Sequence, residues 1–300
     1  MNILVTGGWQ CTREQLKTLE DMGHQVQVLP QERDGLPVPY DWVEGVICNG
    51  LFLHHPIQQF TNLRYIQITS AGFDRIPMDY VQAHGIRIHN ARGVYSVPMA
   101  EFALAGVLQI YKQSRFFAKN QAQHKWLKHR GLLELQGRQV CIIGCGSVGT
   151  ECAKRFASFG CRVTGVDLFP REDESYAQML HLRELDNILP EADVVVLTLP
   201  LSEESRHLMN DARFSYLKND AVLVNIARGA VVDTPALCQW LQTSEGSAVL
   251  DVFEEEPLRE DSPLWDMENV ILTPHNSFIG HGNEDRLFNL LVRNLKEEGI

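Results

Sequence analysis

A strand, a glycine-rich turn and a helix follow one another directly near the middle of this sequence, and that succession restricts the fold more than any other feature. The apolar run 139–143 leads into the hexapeptide GCGSVG at 144–149, and helical spacing continues as far as Gly160. The N-terminus of such a helix favours negative charge, which the pyrophosphate of a dinucleotide supplies. The segment therefore predicts an α/β domain that binds a dinucleotide at the turn.

Dinucleotide binding explains the three glycines of the hexapeptide. Gly144 permits the tight turn, Gly146 lets a pyrophosphate approach the backbone, and Gly149 allows the helix to pack closely on the strand. The next apolar run ends in Asp167, eighteen residues after Gly149. An acid at this place accepts hydrogen bonds from the ribose hydroxyls and repels a 2′-phosphate. The pattern favours NAD over NADP, although the nearby Arg171 keeps NADP open.

Short apolar runs recur along the whole chain, and stretches with helical spacing separate most of them. Continuous apolar strands that alternate with helices indicate parallel sheets covered on both faces. Because the pattern appears twice, we predict an α/β protein with two doubly wound parallel-sheet domains. The runs are Ile3–Val5, Val26–Leu29, Gly45–Cys48, Tyr65–Ile68, Val140–Ile143, Val194–Leu197, Val222–Val224 and Val270–Leu272.

Two helical stretches suggest how the domains are connected. A long one, about 98–119, is rich in Ala, Leu and Phe and opens the second set of strands, so we expect it to bridge the domains. Its apolar content exceeds what one face needs, which fits either burial within the chain or contact with a second subunit. The other, 283–298, carries leucines on one side. We expect it to return and cover the first domain, which would then be discontinuous.

The composition argues against several classes of partner. The formal net charge is −11, with acidic and basic residues mixed, which does not suit a nucleic-acid or anionic-membrane surface. No run approaches the roughly 20 apolar residues of a membrane span and no signal peptide is evident, so a cytoplasmic location is expected. The seven cysteines lie mostly in apolar segments, without disulfide or zinc spacing, and are expected to be reduced core residues.

Polar side chains follow the strands of the second set at the points where those strands end. Arg228 lies beyond one strand, Asp251 and Glu256 beyond the next, and His275 beyond the last. The carboxyl ends of parallel strands border the ligand crevice, so we expect these side chains to converge. Reduction of a 2-oxo acid needs a cation for the carboxylate and carbonyl, a proton donor, and a group that orients the donor. Arg228, His275 and Glu256 meet these three needs.

Each of these residues has a plainer interpretation when taken alone. An Arg after a strand is commonly part of a surface ion pair, a Pro-His dipeptide is commonly a loop, and an acidic run is commonly solvated. A Ser-His-Asp hydrolase is not supported because no G-x-S-x-G elbow occurs, and the sequence has no compact ligand set for a metal. Together, the residues favour hydride transfer between NAD and a small 2-oxo or 2-hydroxy acid.

The sequence resembles the D-isomer-specific 2-hydroxyacid dehydrogenase family over nearly its whole length. The resemblance rests on the glycine hexapeptide, on Asp167 and on several further motifs in the family's order. Membership would imply an NAD-dependent dehydrogenase acting on the CH–OH group of a D-2-hydroxy acid. The further matching segments are Ser70–Asp74, Ala100–Phe102, Leu199–Leu201, Asn225–Gly229, Asp251–Phe253, Glu256–Leu258 and Leu272–His275.

The resemblance also implies roles for individual residues. Arg228 would bind the substrate carboxylate and carbonyl, His275 would be the acid/base, and Glu256 would be its partner rather than Glu254 or Glu255. The residue pattern alone leaves the choice among these three acids open. The implied ligand contacts are Asp251 on the nicotinamide carboxamide, the backbone of Ser147 and Val148 on the pyrophosphate, Leu199, Pro200 and Ile226 beside the dinucleotide, and the N–H groups of Ala71 and Gly72 on the substrate carboxylate.

The family's domain organisation carries over as an expectation. It places a Rossmann cofactor domain, residues 92–275, inside a flavodoxin-like substrate domain formed by residues 1–91 and 276–300, with a hinge that closes on the ligand. It also implies a homodimer. Two departures affect pocket shape: Tyr95 stands where the family often has Asn, and the segment 276–278 replaces a small glycine-rich turn.

The identity of the substrate stays open. Asn49 and Gly50, at the end of a first-domain strand, are expected to line the substrate pocket; glyoxylate, hydroxypyruvate, 3-phosphohydroxypyruvate and branched 2-oxo acids are all candidates. Arg75 would suit a phosphate end group, but an ion pair with neighbouring Asp74 also accounts for it. Two other functions on the same fold stay open as alternatives: an NAD-sensing binding module of the corepressor type, and a phosphite or formate dehydrogenase.

Overall fold

The computed structural model describes all 300 residues and divides into two compact units. The first unit comprises Met1–Tyr95 and Gly280–Ile300, and the second comprises Ser96–Ile279. The first unit is therefore discontinuous in sequence. The predicted domain ranges, and the assignment of substrate to one part and cofactor to the other, stay predictions.

Twelve strands and nine α-helices make up the two units, together with short 3₁₀ helices. The strands are β1 (Asn2–Thr6), β2 (Gln25–Leu29), β3 (Gly45–Cys48), β4 (Tyr65–Ile68), β5 (Arg87–His89), β6 (Gln139–Ile143), β7 (Arg162–Asp167), β8 (Gln178–His181), β9 (Val194–Leu197), β10 (Val222–Asn225), β11 (Ser247–Leu250) and β12 (Val270–Leu272). The helices are α1 (Arg13–Asp21), α2 (Met78–Ala83), α3 (Ser96–Tyr111), α4 (Ser114–Ala122), α5 (Ser147–Ser158), α6 (Leu185–Ile188), α7 (Asp211–Tyr216), α8 (Thr234–Thr243) and α9 (Asn283–Glu297).

The first unit is built on a parallel sheet with strand order β2-β1-β3-β4-β5. Helix α9 covers one face of it, where Leu287, Leu291 and Leu295 are buried together with Ile3 and Val5 of β1. The other side chains of α9 are largely polar, so the helix buries one apolar stripe and leaves the opposite side to solvent. The last helix predicted from the sequence thus belongs to the first unit.

The second unit contains a seven-stranded parallel sheet with order β12-β11-β10-β9-β6-β7-β8. Its central strands are buried over their whole length, because helices lie on both faces, and this explains their unbroken apolar sequences. Helix α3 approaches the sheet closely at Gly106, where an added Cβ would lie 2.6 Å from a Val249 methyl. The predicted class, an α/β protein with two parallel-sheet domains, is confirmed.

The long helix predicted at 98–119 is instead two helices, α3 and α4. Gln113 separates them with φ of 54°, a left-handed conformation that a continuing helix cannot accommodate. The carbonyl of Tyr111, at the end of α3, accepts a hydrogen bond from the distant Leu133 N–H (3.0 Å) rather than from the next turn. The left-handed Gln113 and the contact with Leu133 thus coincide at the break, and helical periodicity shows neither of them.

Two global expectations concern the cysteines and the membrane. All seven cysteines are free thiols, five of them buried, in agreement with the expected reduced core residues. Burial raises the pKa of the Cys145 thiol to about 11. No helix combines the length and the apolar character that crossing a membrane requires.

Candidate active site

His275 and Glu256 form a hydrogen-bonded pair at the carboxyl edge of the second unit's sheet. The His275 Nδ1 lies 2.9 Å from Glu256 Oε2, and the Phe253 N–H donates to Glu256 Oε1 at 3.0 Å. The carboxylate is thus fixed on one oxygen by backbone and on the other by the imidazole. The imidazole edge bearing Nε2 has no hydrogen-bond partner, and the side chain is 41% exposed. This leaves one ring nitrogen able to exchange a proton with a ligand.

A buried carboxylate holds the turn that carries His275. Asp251 has no exposed surface and accepts hydrogen bonds from Thr273 Oγ1 (2.6 Å), the Asn276 N–H (2.7 Å) and the Ser277 N–H (2.9 Å). The His275 N–H donates to the carbonyl oxygen of Asp251 at 2.8 Å. Asp251 therefore orients His275 through the backbone. Its expected contact with a nicotinamide carboxamide stays a prediction.

Arg228 lies on the turn that follows β10. Asn225 fixes this turn, accepting from the Ala227 N–H (3.1 Å) and donating to the Arg228 carbonyl (3.1 Å). The guanidinium is exposed, and its one hydrogen bond is to the neighbouring Ala227 carbonyl at 2.7 Å. The remaining N–H groups of Arg228 are available to an anion, in contrast to a surface ion pair.

The Arg228 turn lies directly against the segment that leads to Glu256. A Cβ added to Gly229 would lie 1.8 Å from the Phe253 carbonyl carbon and 2.3 Å from the Glu254 nitrogen, so only glycine fits. The structure therefore brings the turn that carries Arg228 and the acidic segment that carries Glu256 together, although the two are separated in sequence.

Glu254 serves a different purpose from Glu256. It accepts hydrogen bonds from the Thr234 N–H (3.0 Å) and hydroxyl (2.6 Å), and its other oxygen lies 2.8 Å from His207 Nε2. Burial favours its protonated form, but these hydrogen bonds outweigh burial and hold the pKa of Glu254 below the usual range. Of the acids between which the residue pattern could not choose, Glu256 is the one that contacts His275, and Glu254 is tied to the start of α8. Glu255 has no hydrogen bond or ion pair.

The glycine hexapeptide joins β6 to α5 at the point where the strand order reverses. Gly144 has φ of 95°, and a Cβ there would lie 2.6 Å from the Leu199 nitrogen. A Cβ on Gly149 would lie 2.2 Å from the Gly144 carbonyl oxygen, so the close approach of helix and strand requires glycine. The space over Gly146 is open, with no atom within 4 Å of an added Cβ. Ser147 and Val148 form the first turn of α5, whose N–H groups lack intrahelical partners.

Asp167 ends β7 beside this turn. Its Oδ2 accepts from the Cys145 N–H at 2.6 Å and its Oδ1 from the Phe169 N–H at 2.9 Å. The carboxylate is half-buried and retains lone pairs for further donors. Arg171 is bound to Asp173 (3.1 Å) and Thr150 (3.2 Å), so its guanidinium is already engaged by protein groups.

Three features of this turn suit a dinucleotide. The space over Gly146 and the free N–H groups of α5 suit the pyrophosphate, and Asp167 at the end of β7 suits the ribose. Leu199 and Pro200 follow β9, the neighbour of β6, and Ile226 follows β10; Leu199 lies against Gly144, whereas Ile226 is buried. The predicted cofactor residues therefore come together around one edge of the sheet. No cluster of three or more His, Cys, Asp or Glu side chains suited to a metal ion is present.

The predicted substrate residues lie in the first unit at the ends of its strands. Asn49 and Gly50 follow β3, and their N–H groups each donate to the Glu32 carboxylate at 2.7 Å. Ala71 and Gly72 follow β4, and their carbonyls accept from Asn90 (2.7 Å) and Ser70 (2.9 Å) while their N–H groups have no acceptor. Those two N–H groups are thus available to a ligand.

Fold and site define the second unit as the dinucleotide-binding part of an oxidoreductase, and comparison with known proteins gives the family. The family model for the NAD binding domain of D-isomer specific 2-hydroxyacid dehydrogenases matches residues 104–277. A glyoxylate reductase from Thermofilum pendens is 34% identical over 244 residues, which cover 78% of this chain and 71% of the relative. The chain belongs to the D-isomer-specific 2-hydroxyacid dehydrogenase family, and the predicted family and enzyme class are confirmed.

Solved structures agree over almost the whole chain. A D-isomer specific 2-hydroxyacid dehydrogenase family protein from Aeromonas salmonicida has a TM-score of 0.82 at 29% identity, covering 99% of this chain and 96% of its own. A D-isomer specific 2-hydroxyacid dehydrogenase from Xanthobacter autotrophicus, in complex with NADPH and MES, has a TM-score of 0.78 at 28% identity, covering 99% of this chain and 95% of its own. This chain is therefore a nicotinamide-dependent oxidoreductase that acts on the CH–OH group of 2-hydroxy acids.

The sequence analysis missed two parts of the site. Glu32, which binds the backbone of Asn49 and Gly50, stands seventeen residues from Asn49 in a loop without a motif. His207, the partner of Glu254, lies in another such loop. Both depend on how distant loops meet at strand ends, which local patterns do not encode.

Proposed function

We propose that this chain reduces a small, unbranched 2-oxo acid to the D-2-hydroxy acid, with NADH as the hydride donor and with His275, Glu256 and Arg228 as catalytic residues. The observation that carries the proposal is the 2.9 Å contact between Glu256 and His275, which leaves the opposite ring nitrogen without a partner. A fixed imidazole with one free nitrogen, on a turn held by a buried acid, is what delivery of a proton to a nascent alkoxide requires.

The three proposed catalytic residues have different chemical tasks. His275 donates its proton through Nε2 to the carbonyl oxygen as the hydride arrives, and takes it back in the oxidation direction. Glu256 accepts from Nδ1, which fixes the ring and stabilises the imidazolium form. Arg228 binds the carboxylate and polarises the carbonyl through its planar N–H groups. A bound nicotinamide would supply the hydride to C2 of the 2-oxo acid, or accept it from C2 of the hydroxy acid in the oxidation direction.

The contacts at the glycine turn support NAD as the preferred cofactor. Asp167 stands where the adenosine ribose binds in this fold and repels a 2′-phosphate. Arg171, the residue that kept NADP open, is held by Asp173 in an ion pair of 3.1 Å. Because the Xanthobacter autotrophicus relative was crystallised with NADPH, the test compares both cofactors.

The exposed N–H groups of Ala71 and Gly72 support a contact with the substrate carboxylate, because two adjacent backbone donors form a natural anion site. Asn49 and Gly50 then stand beside the variable end of the substrate. The candidate substrates are glyoxylate, which one relative is named for, and hydroxypyruvate.

We further propose that the protein is a cytoplasmic homodimer. The dimer is supported by exposed apolar side chains in the segment between α4 and β6: Trp126 is 95% exposed, and Leu127 and Leu132 are 54% and 41% exposed. A tryptophan that projects fully into solvent is costly, and covering it with a second copy removes that cost.

The test is initial-rate oxidation of NADH, and in parallel NADPH, with glyoxylate, hydroxypyruvate, pyruvate, 3-phosphohydroxypyruvate and 2-oxoisocaproate. We expect turnover with glyoxylate or hydroxypyruvate, and a kcat/KM for NADH at least about tenfold above that for NADPH, which corresponds to about 1.4 kcal/mol. Binding of NADH without oxidation by any member would contradict the proposal and favour the binding-module alternative. Turnover with NADPH alone would contradict the role given to Asp167.

A further inference from the structure

The strand order of the first unit points to a place where a ligand binds. In the order β2-β1-β3-β4-β5 the chain direction across the sheet reverses between β1 and β3. Open parallel sheets bind ligands at the carboxyl ends of the strands beside such a reversal. Thr6 ends β1, and Asn49 and Gly50 follow β3, so these residues border that place.

A carboxylate of the protein itself occupies the backbone donors there. Glu32 Oε1 accepts from the Asn49 N–H (2.7 Å) and the Thr6 hydroxyl (2.6 Å), and its Oε2 accepts from the Gly50 N–H (2.7 Å). Successive N–H groups at a strand end form a cradle for an anion. In this chain the anion in the cradle is Glu32.

The backbone around Glu32 is closely packed, which fixes its position. The Gly7 N–H donates to the Leu29 carbonyl at 2.9 Å, and a Cβ on Gly7 would lie 2.0 Å from the Pro30 carbonyl oxygen. A Cβ on Gly8 would lie 3.0 Å from the Asn49 Cβ. The glycine pair after β1 therefore lets the segment that leads to Glu32 lie against the strand ends.

The polar side chain that remains at this place is the amide of Asn49. Its Oδ1 is buried and has no hydrogen-bond partner, and the backbone N–H of the same residue is bound to Glu32. The nearest cation is Arg75, whose Cδ lies 3.7 Å from the position of a Gly50 Cβ. Arg75 is exposed and makes no ion pair, including none with Asp74, so its charge is screened by solvent.

We propose that Glu32 determines substrate specificity by excluding 2-oxo acids that carry a second anionic group, so that the enzyme takes unphosphorylated substrates whose far end is hydrogen or a hydroxyl. This inference rests on the proposed function. A hydroxyl can donate to the free Asn49 Oδ1, whereas a phosphate finds the backbone N–H groups of Asn49 and Gly50 already bound to Glu32 and meets the like charge of that carboxylate. Discrimination here comes from repulsion rather than from an added contact.

The experiment compares kcat/KM for hydroxypyruvate and 3-phosphohydroxypyruvate, two substrates that differ only in the phosphate. For the wild type we expect a ratio of at least about 100 in favour of hydroxypyruvate, and for Glu32→Gln a ratio about tenfold smaller, because the like charge is removed. Glu32→Asp keeps the charge, so its ratio should stay close to that of the wild type even if both rates fall.

The matched control is Glu44→Gln, in the same unit but at the amino ends of the strands, where Glu44 accepts from the Asn2 N–H at 2.7 Å and pairs with Arg64 at 3.0 Å. It removes the same charge and should leave the ratio unchanged. Thermal melting and NADH binding establish that each variant is folded.

Three results would overturn the inference. One is a similar kcat/KM for hydroxypyruvate and 3-phosphohydroxypyruvate in the wild type, a result that requires no variant. Another is an unchanged ratio in folded Glu32→Gln. The third is a large, selective loss of 3-phosphohydroxypyruvate turnover in Arg75→Ala, which would show that Arg75 binds the phosphate. Absence of turnover with every 2-oxo acid would instead contradict the proposed function itself, so the two failures are distinguishable.

Discussion

Two histidines of the second unit have nearly the same surroundings but different predicted roles. His275 and His207 both adopt left-handed backbone conformations, with φ of 50° and 48°. Each has one ring nitrogen close to a glutamate, 2.9 Å from Glu256 and 2.8 Å from Glu254. The difference is that His207 also lies 4.0 Å from Asp233, so both of its nitrogens face carboxylates, whereas His275 has one free edge. The free ring edge is therefore the feature that distinguishes the proposed catalytic histidine from His207.

This similarity permits a controlled test at the level of single residues. Asn tolerates the left-handed conformation, so His275→Asn should keep the turn while removing the proton donor. We expect kcat for the preferred 2-oxo acid to fall about 10²- to 10⁴-fold, with NADH affinity retained. His207→Asn should keep kcat within about threefold, since it alters no group that touches the substrate. Equal losses in the two variants, measured by steady-state kinetics, would remove the special role of His275.

Sequence patterns marked the proposed catalytic residues better than the residues that support the site. Arg228, Glu256 and His275 follow strands that are recognisable from their apolar runs, so their convergence could be predicted. Glu32 and His207 lie in loops whose course is set by packing at strand ends, and no local pattern marks them. A residue can therefore be predicted from sequence when a regular element positions it, and not when a distant loop does.

At the level of secondary structure, one glycine decides whether the Arg228 turn can form. The 3₁₀ helix Gly229–Val231 follows β10 and lies against the backbone at Phe253, leaving no room for a side chain at 229. Because backbone packs directly on backbone here, a side chain at 229 could be accommodated only if the whole turn moved away from Phe253.

We expect Gly229→Ala to destabilise the protein by about 2–3 kcal/mol or more, because overpacking against rigid backbone cannot be relieved by a rotamer change. The measurement is urea unfolding followed by circular dichroism. Gly35→Ala is the control: nothing lies within 4 Å of an added Cβ there. Its free energy of unfolding should stay within about 1 kcal/mol of the wild type, on the stabilising side. An unchanged urea midpoint for Gly229→Ala would show that the turn can shift.

The elements that the sequence did not reveal are short or at an edge. β5 and β8 are the terminal strands of their sheets, only half-buried, and their residues lack a continuous apolar run. Edge strands need less apolar surface than central ones, so composition marks them weakly. The division of the predicted 98–119 helix at Gln113 was missed because neither the left-handed Gln113 nor the contact of Tyr111 with Leu133 changes the apolar periodicity.

At the level of the whole chain, the end of the sequence is tied to the first unit by polar as well as apolar contacts. The buried Asn294 amide donates to Gln67 Oε1 at 2.8 Å. Glu298 lies 2.8 Å from His89 Nε2 and accepts from Arg87 at 3.1 Å. The hydrogen bond with His89, followed by that with Arg87, holds the pKa of Glu298 below its usual range.

A depressed carboxylate pKa stabilises the folded state above the pKa of the unfolded chain, about 4.3 for Glu, and the contribution disappears as pH falls through the lower folded value. Glu298→Gln should therefore lower the Tm by about 1–3 °C at pH 7, and the difference should shrink as the pH falls below about 4. Glu297→Gln is the control, because Glu297 is exposed and its pair with Arg293 is long, at 3.9 Å. A difference between wild type and Glu298→Gln that persists at acid pH would contradict this assignment.

The discontinuity of the first unit has a consequence for how the protein is made. Residues 1–95 emerge from the ribosome first, with the apolar face of β1 exposed. The helix that covers this face belongs to the segment 280–300, which is synthesised last. The intervening unit, at about 5–20 residues per second, takes roughly 10–40 s to synthesise and can fold meanwhile as one continuous stretch. During that interval residues 1–95 lack the helix that buries the apolar face of β1, and we expect a holding chaperone to bind that exposed face.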